Sequence, residues 1–224
     1  SSSSNLTFKD KFVKDFELGE GDHPDAIQLW TTNTTKIATD ITITGNVVVR
    51  GEGSAIQGVF LRDQVGDLPF TNVTISNNLV VGGLTQGIGV VGGRNVTISN
   101  NTVTGLPDQR SSILTDDVVG TVSNNTGTHF RIEPGSTEIG NKLIDAPVDG
   151  GQAVQAAWLS ANGRAVLSGD AGQLKTFGQV VVSFGDGLLS ARNVTQVVLD
   201  AAANAAMNGI ENTRLQSVKL TGTT

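Results

Sequence analysis

One short phrase recurs through the first half of the chain, and its recurrence narrows the fold before any single residue is weighed. Asn5-Leu-Thr-Phe-Lys-Asp, Asp40-Ile-Thr-Ile-Thr-Gly-Asn, Asn72-Val-Thr-Ile-Ser-Asn-Asn, Asn95-Val-Thr-Ile-Ser-Asn-Asn and Val119-Gly-Thr-Val-Ser-Asn-Asn align without gaps, and a worn sixth copy sits at Ser136-Thr-Glu-Ile-Gly-Asn-Lys. Successive starts of the first five are 35, 32, 23 and 24 residues apart. Each phrase alternates apolar and polar residues, the two-residue period of a strand with one buried face. The Asn-Asn or Gly-Asn that follows suits a sharp corner, because both residues tolerate left-handed backbone angles. A strand and a corner that return at such intervals describe a coil stacked on copies of itself, a parallel β-solenoid.

Stacking brings Ile43, Ile75, Ile98 and Val122 into one internal column. Ala26-Ile-Gln-Leu-Trp, Ala55-Ile-Gln-Gly-Val-Phe, Gly87-Ile-Gly-Val-Val and Ser112-Ile-Leu-Thr suggest a second column of Ile27, Ile56, Ile88 and Ile113. With a third ladder in the variable stretch, each coil has three strands, and about five coils at ~4.8 Å spacing make a rod ~24 Å tall. Coil length varies mainly between Asp10 and Thr39 and between Val59 and Thr71, and such insertions collect on the binding side of a solenoid. Asn-x-Thr triplets such as Asn72-Val-Thr match a glycosylation acceptor, but they recur simply because the strand phrase recurs.

A formal net charge of −6 and a pI near 4.8 exclude a basic face for nucleic acid or anionic membrane. No apolar run approaches the ~20 residues that span a bilayer. Cysteine is absent, which excludes disulfides, thiolate metal sites and a cysteine nucleophile. The chain opens on four serines without an initiator Met, which points to a true N-terminus further upstream.

The repeats fade after Asp145, where Ala146-Pro-Val-Asp-Gly-Gly reads as a linker. Two domains follow from this, a parallel β-helix over 1–145 and a capping or oligomerisation module over 146–224. In the second, Gln152–Leu159 reads as a short helix and Val180-Val-Val-Ser-Phe as a strand. Asn193–Asn208 reads as an Ala-rich helix, and Arg214-Leu-Gln-Ser-Val-Lys-Leu returns to strand alternation.

The stacked Asn-Val-Thr-Ile-Ser-Asn-Asn phrases resemble the right-handed parallel β-helix repeats of the pectate-lyase-like superfamily, which takes in epimerases, polysaccharide lyases, polygalacturonases and phage tailspikes. The resemblance covers roughly residues 5–145. It implies an all-β fold, a right-handed parallel β-helix followed by a small mixed α/β module. It also implies a glycan partner such as a bacterial surface polysaccharide, an extracellular or virion-surface location, and assembly as a homotrimer. The segment Asp22-His-Pro-Asp-Ala-Ile-Gln-Leu-Trp resembles a motif of β-helix proteins of bacteria and their phages. The paired aspartates of polygalacturonases and the Asp-Pro-His-Glu stretch of epimerases are missing, so neither activity carries over by residue.

Chemistry concentrates where one of the two histidines meets carboxylates and amides: Asp22, His23, Asp25 and Gln28. On a strand His23 and Asp25 project to the same side, where a carboxylate can orient an imidazole for proton abstraction beside a uronate carboxylate or for glycoside hydrolysis. The alternative is structural, with His23 holding the turn before Pro24 and Asp25 bonded to a corner. Gln28 and Trp30 share the other strand face, where an indole beside an amide makes a sugar platform if it points outward and a core filler if it does not. In the next coil Gln57 aligns with Gln28 as an amide ladder. Arg62 is placed either to clamp a carboxylate or to pair with Asp63 on the surface. Asp108, Asp116 and Asp117, with Asp22 and Asp25, offer oxygen ligands for calcium, yet no calcium-loop pattern is present, so no metal site is assigned and Ca2+ stays open as a cofactor.

Two functions compete. One is a β-helix that engages a polysaccharide along one face, with or without cleaving it as a lyase, epimerase or hydrolase. The other is a non-enzymatic virion or surface protein that uses the solenoid as a rigid rod. Convergence of His23, Asp25 and Arg62 in one open groove would favour the first.

Overall fold

A computed structural model describes residues 4–20, 25–31 and 34–163 in full, and residues 177–184, 187–194 and 215–222 as backbone strands. It divides into two compact units, Ser1–Trp158 and Leu159–Thr224.

The first unit is built from parallel strands. The repeated phrases form one ladder, Leu6–Lys9, Thr39–Thr44, Phe70–Ser76, the second half of Gln86–Ser99, the second half of Ser112–Ser123, and Ser136–Ile139. The worn copy at Ser136 therefore takes its place in register. A second ladder, in a sheet of its own, runs Phe12–Lys14, Val47–Val49, Leu79–Val81, Thr102–Thr104, Thr126–Gly127 and Lys142–Leu143. A third joins Asp25–Trp30, Gln57–Arg62, the first half of Gln86–Ser99, the first half of Ser112–Ser123, and Phe130–Ile132. The chain visits the three ladders in the same cyclic order throughout. Among the described residues no helix is long and apolar enough to cross a membrane.

The register turns the alternation of each phrase into columns. Phe8, Ile43, Ile75, Ile98 and Val122 stack in line, and all but Phe8 are fully buried. The opposite face carries two columns of hydroxyls. One is Thr7, Thr42, Thr74, Thr97, Thr121 and Thr137; the other is Thr44, Ser76, Ser99 and Ser123. In the third ladder the expected column of four isoleucines needs one correction. Val59, not Ile56, lies between Ile27 and Ile88, while Ile56 is buried just ahead of its strand. That register also stacks Leu29, Leu61 and Val90, so it fills two apolar columns where the expected one would fill one.

Corners follow from backbone conformation. Asp10, Gly45, Asn77, Asn100, Asn124 and Gly140 all have positive φ, between 53° and 67°, and each follows a repeat strand directly. The residue after each, from the second repeat onward, is an asparagine turned inward: Asn46, Asn78, Asn101, Asn125 and Asn141. The first four of these are buried. Each of the first four donates its side-chain amide to the Oδ1 of the next at 2.9–3.0 Å, and its backbone N–H to the same oxygen. Its second amide hydrogen reaches back to the carbonyl of the preceding coil, Phe8, Ile43, Ile75 and Ile98 in turn, and Asn141 reaches Val122 in the same way. The fifth repeat is one residue short: Val119 pairs with Arg94 and Gly120 with Val96, so nothing matches Asn95. A Cβ on Gly120 would collide with the Val96 carbonyl, which only glycine avoids.

The first unit continues past Asp145. Gly151, in the segment read as a linker, packs so tightly on Val81 that a Cβ there would overlap its side chain. Asp149 accepts the backbone N–H groups of Gly151 and Ala153 at the start of the helix Gln152–Ala161, which holds its carboxyl below the usual range. In the second unit Phe177–Phe184 is the middle strand of an antiparallel sheet, flanked by Gly187–Val194 and Leu215–Gly222. The helix expected from Asn193 does not begin there, because Asn193 and Val194 end a strand that pairs back on Phe177. Close hairpin pairing outweighs local alanine content at that point. The rest of that expected helix, 195–208, lies outside the described residues.

Two substitutions separate the roles of the two asparagines in the Asn100–Asn101 corner. Asn101→Ala removes the acceptor for both the backbone and the side chain of Asn78 and the amide donor to the Ile75 carbonyl, which should cost roughly 2–5 kcal/mol in urea melts. Asn100→Gly keeps the left-handed corner and should change stability by less than about 1 kcal/mol. Ile75→Ala should cost roughly 2–5 kcal/mol by opening a cavity in a filled column.

Candidate functional site

Asp25–Trp30 and Gln57–Arg62 are neighbouring parallel strands. Their register puts Asp25 opposite Gln57, Gln28 opposite Phe60 and Trp30 opposite Arg62. The amide ladder expected between Gln28 and Gln57 is therefore not formed. The likeness of Ala26-Ile-Gln to Ala55-Ile-Gln misleads by three residues, because burial of the apolar columns, not the likeness of short words, sets the pairing.

By alternation, Ile27 and Leu29 face the core while Gln28 and Trp30 face out. Ile27 is buried and Trp30 is 42% exposed, as this requires. Arg62 lies in the same outward row as Trp30 and is exposed too. Gln28 Nε2 donates to Asp25 Oδ2 at 2.7 Å. The Gln57 side-chain oxygen is buried and accepts no hydrogen bond from the described residues. His23 lies outside the described residues, as does Asp22, so the His23–Asp25 pair has no described geometry.

Asp63 does something the sequence does not announce. Its Oδ1 accepts the Thr31 hydroxyl at 2.7 Å and the Gly66 amide at 2.9 Å, and its Oδ2 accepts the Leu68 amide at 2.8 Å. It thereby ties the 63–68 loop to the end of the neighbouring strand. Gly92 sits against it with positive φ, where a Cβ would press on the Asp63 side chain. Partial burial pushes this carboxyl up, but the hydrogen bonds from Thr31, Gly66, Leu68 and Val65 outweigh it, and the net pKa falls below the ordinary value. With Asp63 so engaged, the surface pair Arg62–Asp63 is not made, and among the described residues Arg62 has no carboxylate partner.

Of the carboxylates considered for calcium, Asp22 lies outside the described residues and two others are engaged by arginines. Asp108 pairs with Arg50 at 2.7 Å, and Asp117 is held by both oxygens on Arg94 at 3.0 and 3.1 Å. Among the described residues no three His, Cys, Asp or Glu side chains are grouped to hold a metal. The second histidine has its Nδ1 2.9 Å from Ser112 Oγ. Nothing in the sequence links those two residues, and Ser112 is 2% exposed, closed to a substrate.

Compared with protein-family models, curated proteins and solved structures, the chain finds no match.

The lowered pKa of Asp63 fixes a pH dependence. Its ionised form is favoured in the folded state, so its contribution is complete above the unfolded value of ~3.9 and is lost as pH falls through the lower folded value. Asp63→Asn should therefore be less stable than the parent at neutral pH, with a gap that holds down to about pH 4 and closes below it. Urea melts of both proteins across that range test the sign.

Proposed function

We propose that the first unit is a right-handed parallel β-helix of the pectate-lyase-like kind, acting outside the cell or on a virion surface, and that it engages a polysaccharide on the outward face of Asp25–Trp30 and Gln57–Arg62. The observation that carries the reading is the pairing, in register, of an exposed indole with an exposed guanidinium that has no acid partner among the described residues. An indole stacks on the apolar face of a sugar ring, and a guanidinium grips carboxylate or hydroxyl oxygens through a fixed fork of donors. Gln28, two residues before Trp30 in the same outward row, is held there by its bond to Asp25.

Binding without turnover is the better supported form. Asp63 is committed to its loop and Asp25 accepts from Gln28, which supports a binding role over a catalytic one. This keeps the second function in play, a non-enzymatic virion or surface rod that recognises a glycan and does not cut it. Assembly as a homotrimer belongs to the same reading and is read directly by light scattering of the intact chain.

Titration with soluble bacterial polysaccharides, followed by Trp fluorescence, tests the site. Arg62→Ala should weaken binding by about 1.5–3 kcal/mol, the worth of hydrogen bonds to a charged group, and Trp30→Ala by about 0.5–1.5 kcal/mol. Both variants should melt like the parent. A double variant that binds as tightly as the parent would exclude this face.

A further inference from the structure

The repeated face offers a second, independent surface. The two hydroxyl columns of the phrase ladder occupy outward positions two residues apart on each strand and are in register from one strand to the next. Parallel pairing spaces them ~4.8 Å along the column, and the strand rise spaces them ~6.6 Å across it. Threonine is stiff at χ1, which limits each copy to few attitudes. The side chains from Thr42 to Ser123 in this net are all half-buried, stacked on one another while still reaching solvent. Ser76 donates to Thr44 across one row at 3.2 Å, which shows neighbouring hydroxyls at hydrogen-bonding separation. The buried asparagines beneath the adjoining corner fix the same period from inside.

The face is also distinctive in what it omits. From Thr42 to Ser123 neither column contains a charged or aromatic residue; charges stand only at the margin, Lys9 in register with Thr44 and Asp40 two residues before Thr42. A protein partner would want the Trp, Tyr or Arg anchors that dominate interface energies, and a single glycan chain would want an aromatic platform. A charged polymer would want a charged face. An uncharged net of hydroxyls and methyls with two fixed repeats is complementary to an uncharged hydrogen-bonded lattice. The occupant that satisfies both charge and period is crystalline water, whose prism faces repeat on a similar scale in two directions.

We infer that this face adsorbs to ice, through the threonine column and the hydroxyl column beside it. The inference does not depend on the glycan reading, which concerns a different ladder. It is tested by following grain growth in a frozen sucrose solution that contains the full chain, against an equal mass of albumin. The expected result is that the chain arrests coarsening and albumin does not. A Thr74→Lys/Thr97→Lys double variant should coarsen like albumin, while Arg110→Ala, outside the net, should stay active. Grains that coarsen with the parent as they do with albumin overturn the proposal. So does a double variant that folds by circular dichroism and keeps full activity. Should that variant fail to fold, uptake of fluorescently labelled parent into a slowly grown ice crystal decides the matter, and its exclusion from the ice sinks the idea.

Discussion

The repeated architecture of the first unit depends on one column of buried amides. An asparagine inside a protein is a liability unless both hydrogens and its oxygen are used, because an unpaired buried polar group costs more than a paired one contributes. Here the amide hydrogens of Asn46, Asn78, Asn101 and Asn125 go to the next amide oxygen and to a carbonyl of the preceding coil, while the oxygen collects donors from the rung before. This works only if every coil returns to the same height and the same angle. A slip of one residue would break the amide bonds and also turn an apolar column to solvent. The ladder and the isoleucine column therefore impose the same register by different forces, one directional and one not. Agreement between levels of this kind selects a single stacking from many nearly equivalent ones.

Where the repeats lose their period, other devices take over. The longer segment between Val59 and Thr71 contains no asparagine, and Asp63 holds it by accepting three hydrogen bonds from Thr31, Gly66 and Leu68. At the fifth phrase a missing residue is absorbed by Gly120 against the Val96 backbone. Asp108 reaches across to Arg50 in a similar spirit, though that pair is exposed and contributes little to stability in water. Single-use contacts stand in for the ladder wherever the chain departs from its phrase.

That contrast explains what could be read in the sequence. Ile43, Ile75, Ile98 and Val122 were identifiable as core because alternation and repetition both pointed at them. The amide ladder was hidden in plain view: Asn77 and Asn78 are the same residue type, and composition cannot tell a left-handed corner from an inward rung. Only the glycine at Gly45 and Gly140, standing where Asn77 and Asn100 stand, separates the roles. The pairing of Gln28 escaped detection because a three-residue likeness to Ala55-Ile-Gln was weaker than the demand of two apolar columns. Asp63 escaped because its partners, two of them backbone amides, leave no side-chain pattern. Strand Gly187–Val194 was obscured by the alanines that follow it.

A stacked fold divides its residues into those that must repeat and those that are free to differ, and the division bears on recognition. Inward positions are constrained by the column above and below. Outward positions are constrained less, by strand propensity and by cross-strand pairs. On the third ladder the outward row reads Trp30, Arg62, Val91 and Asp116, four different side chains in register, which suits a ligand with direction and distinct groups along its length. On the phrase ladder the corresponding row reads Thr42, Thr74, Thr97 and Thr121, the same side chain at each step. A uniform row cannot distinguish one end of a ligand from the other, so it gains affinity only from something that repeats with it. The two faces thus ask for different kinds of occupant, one heterogeneous and polar and the other periodic and neutral, and a ligand fitted to either would leave the other row unsatisfied.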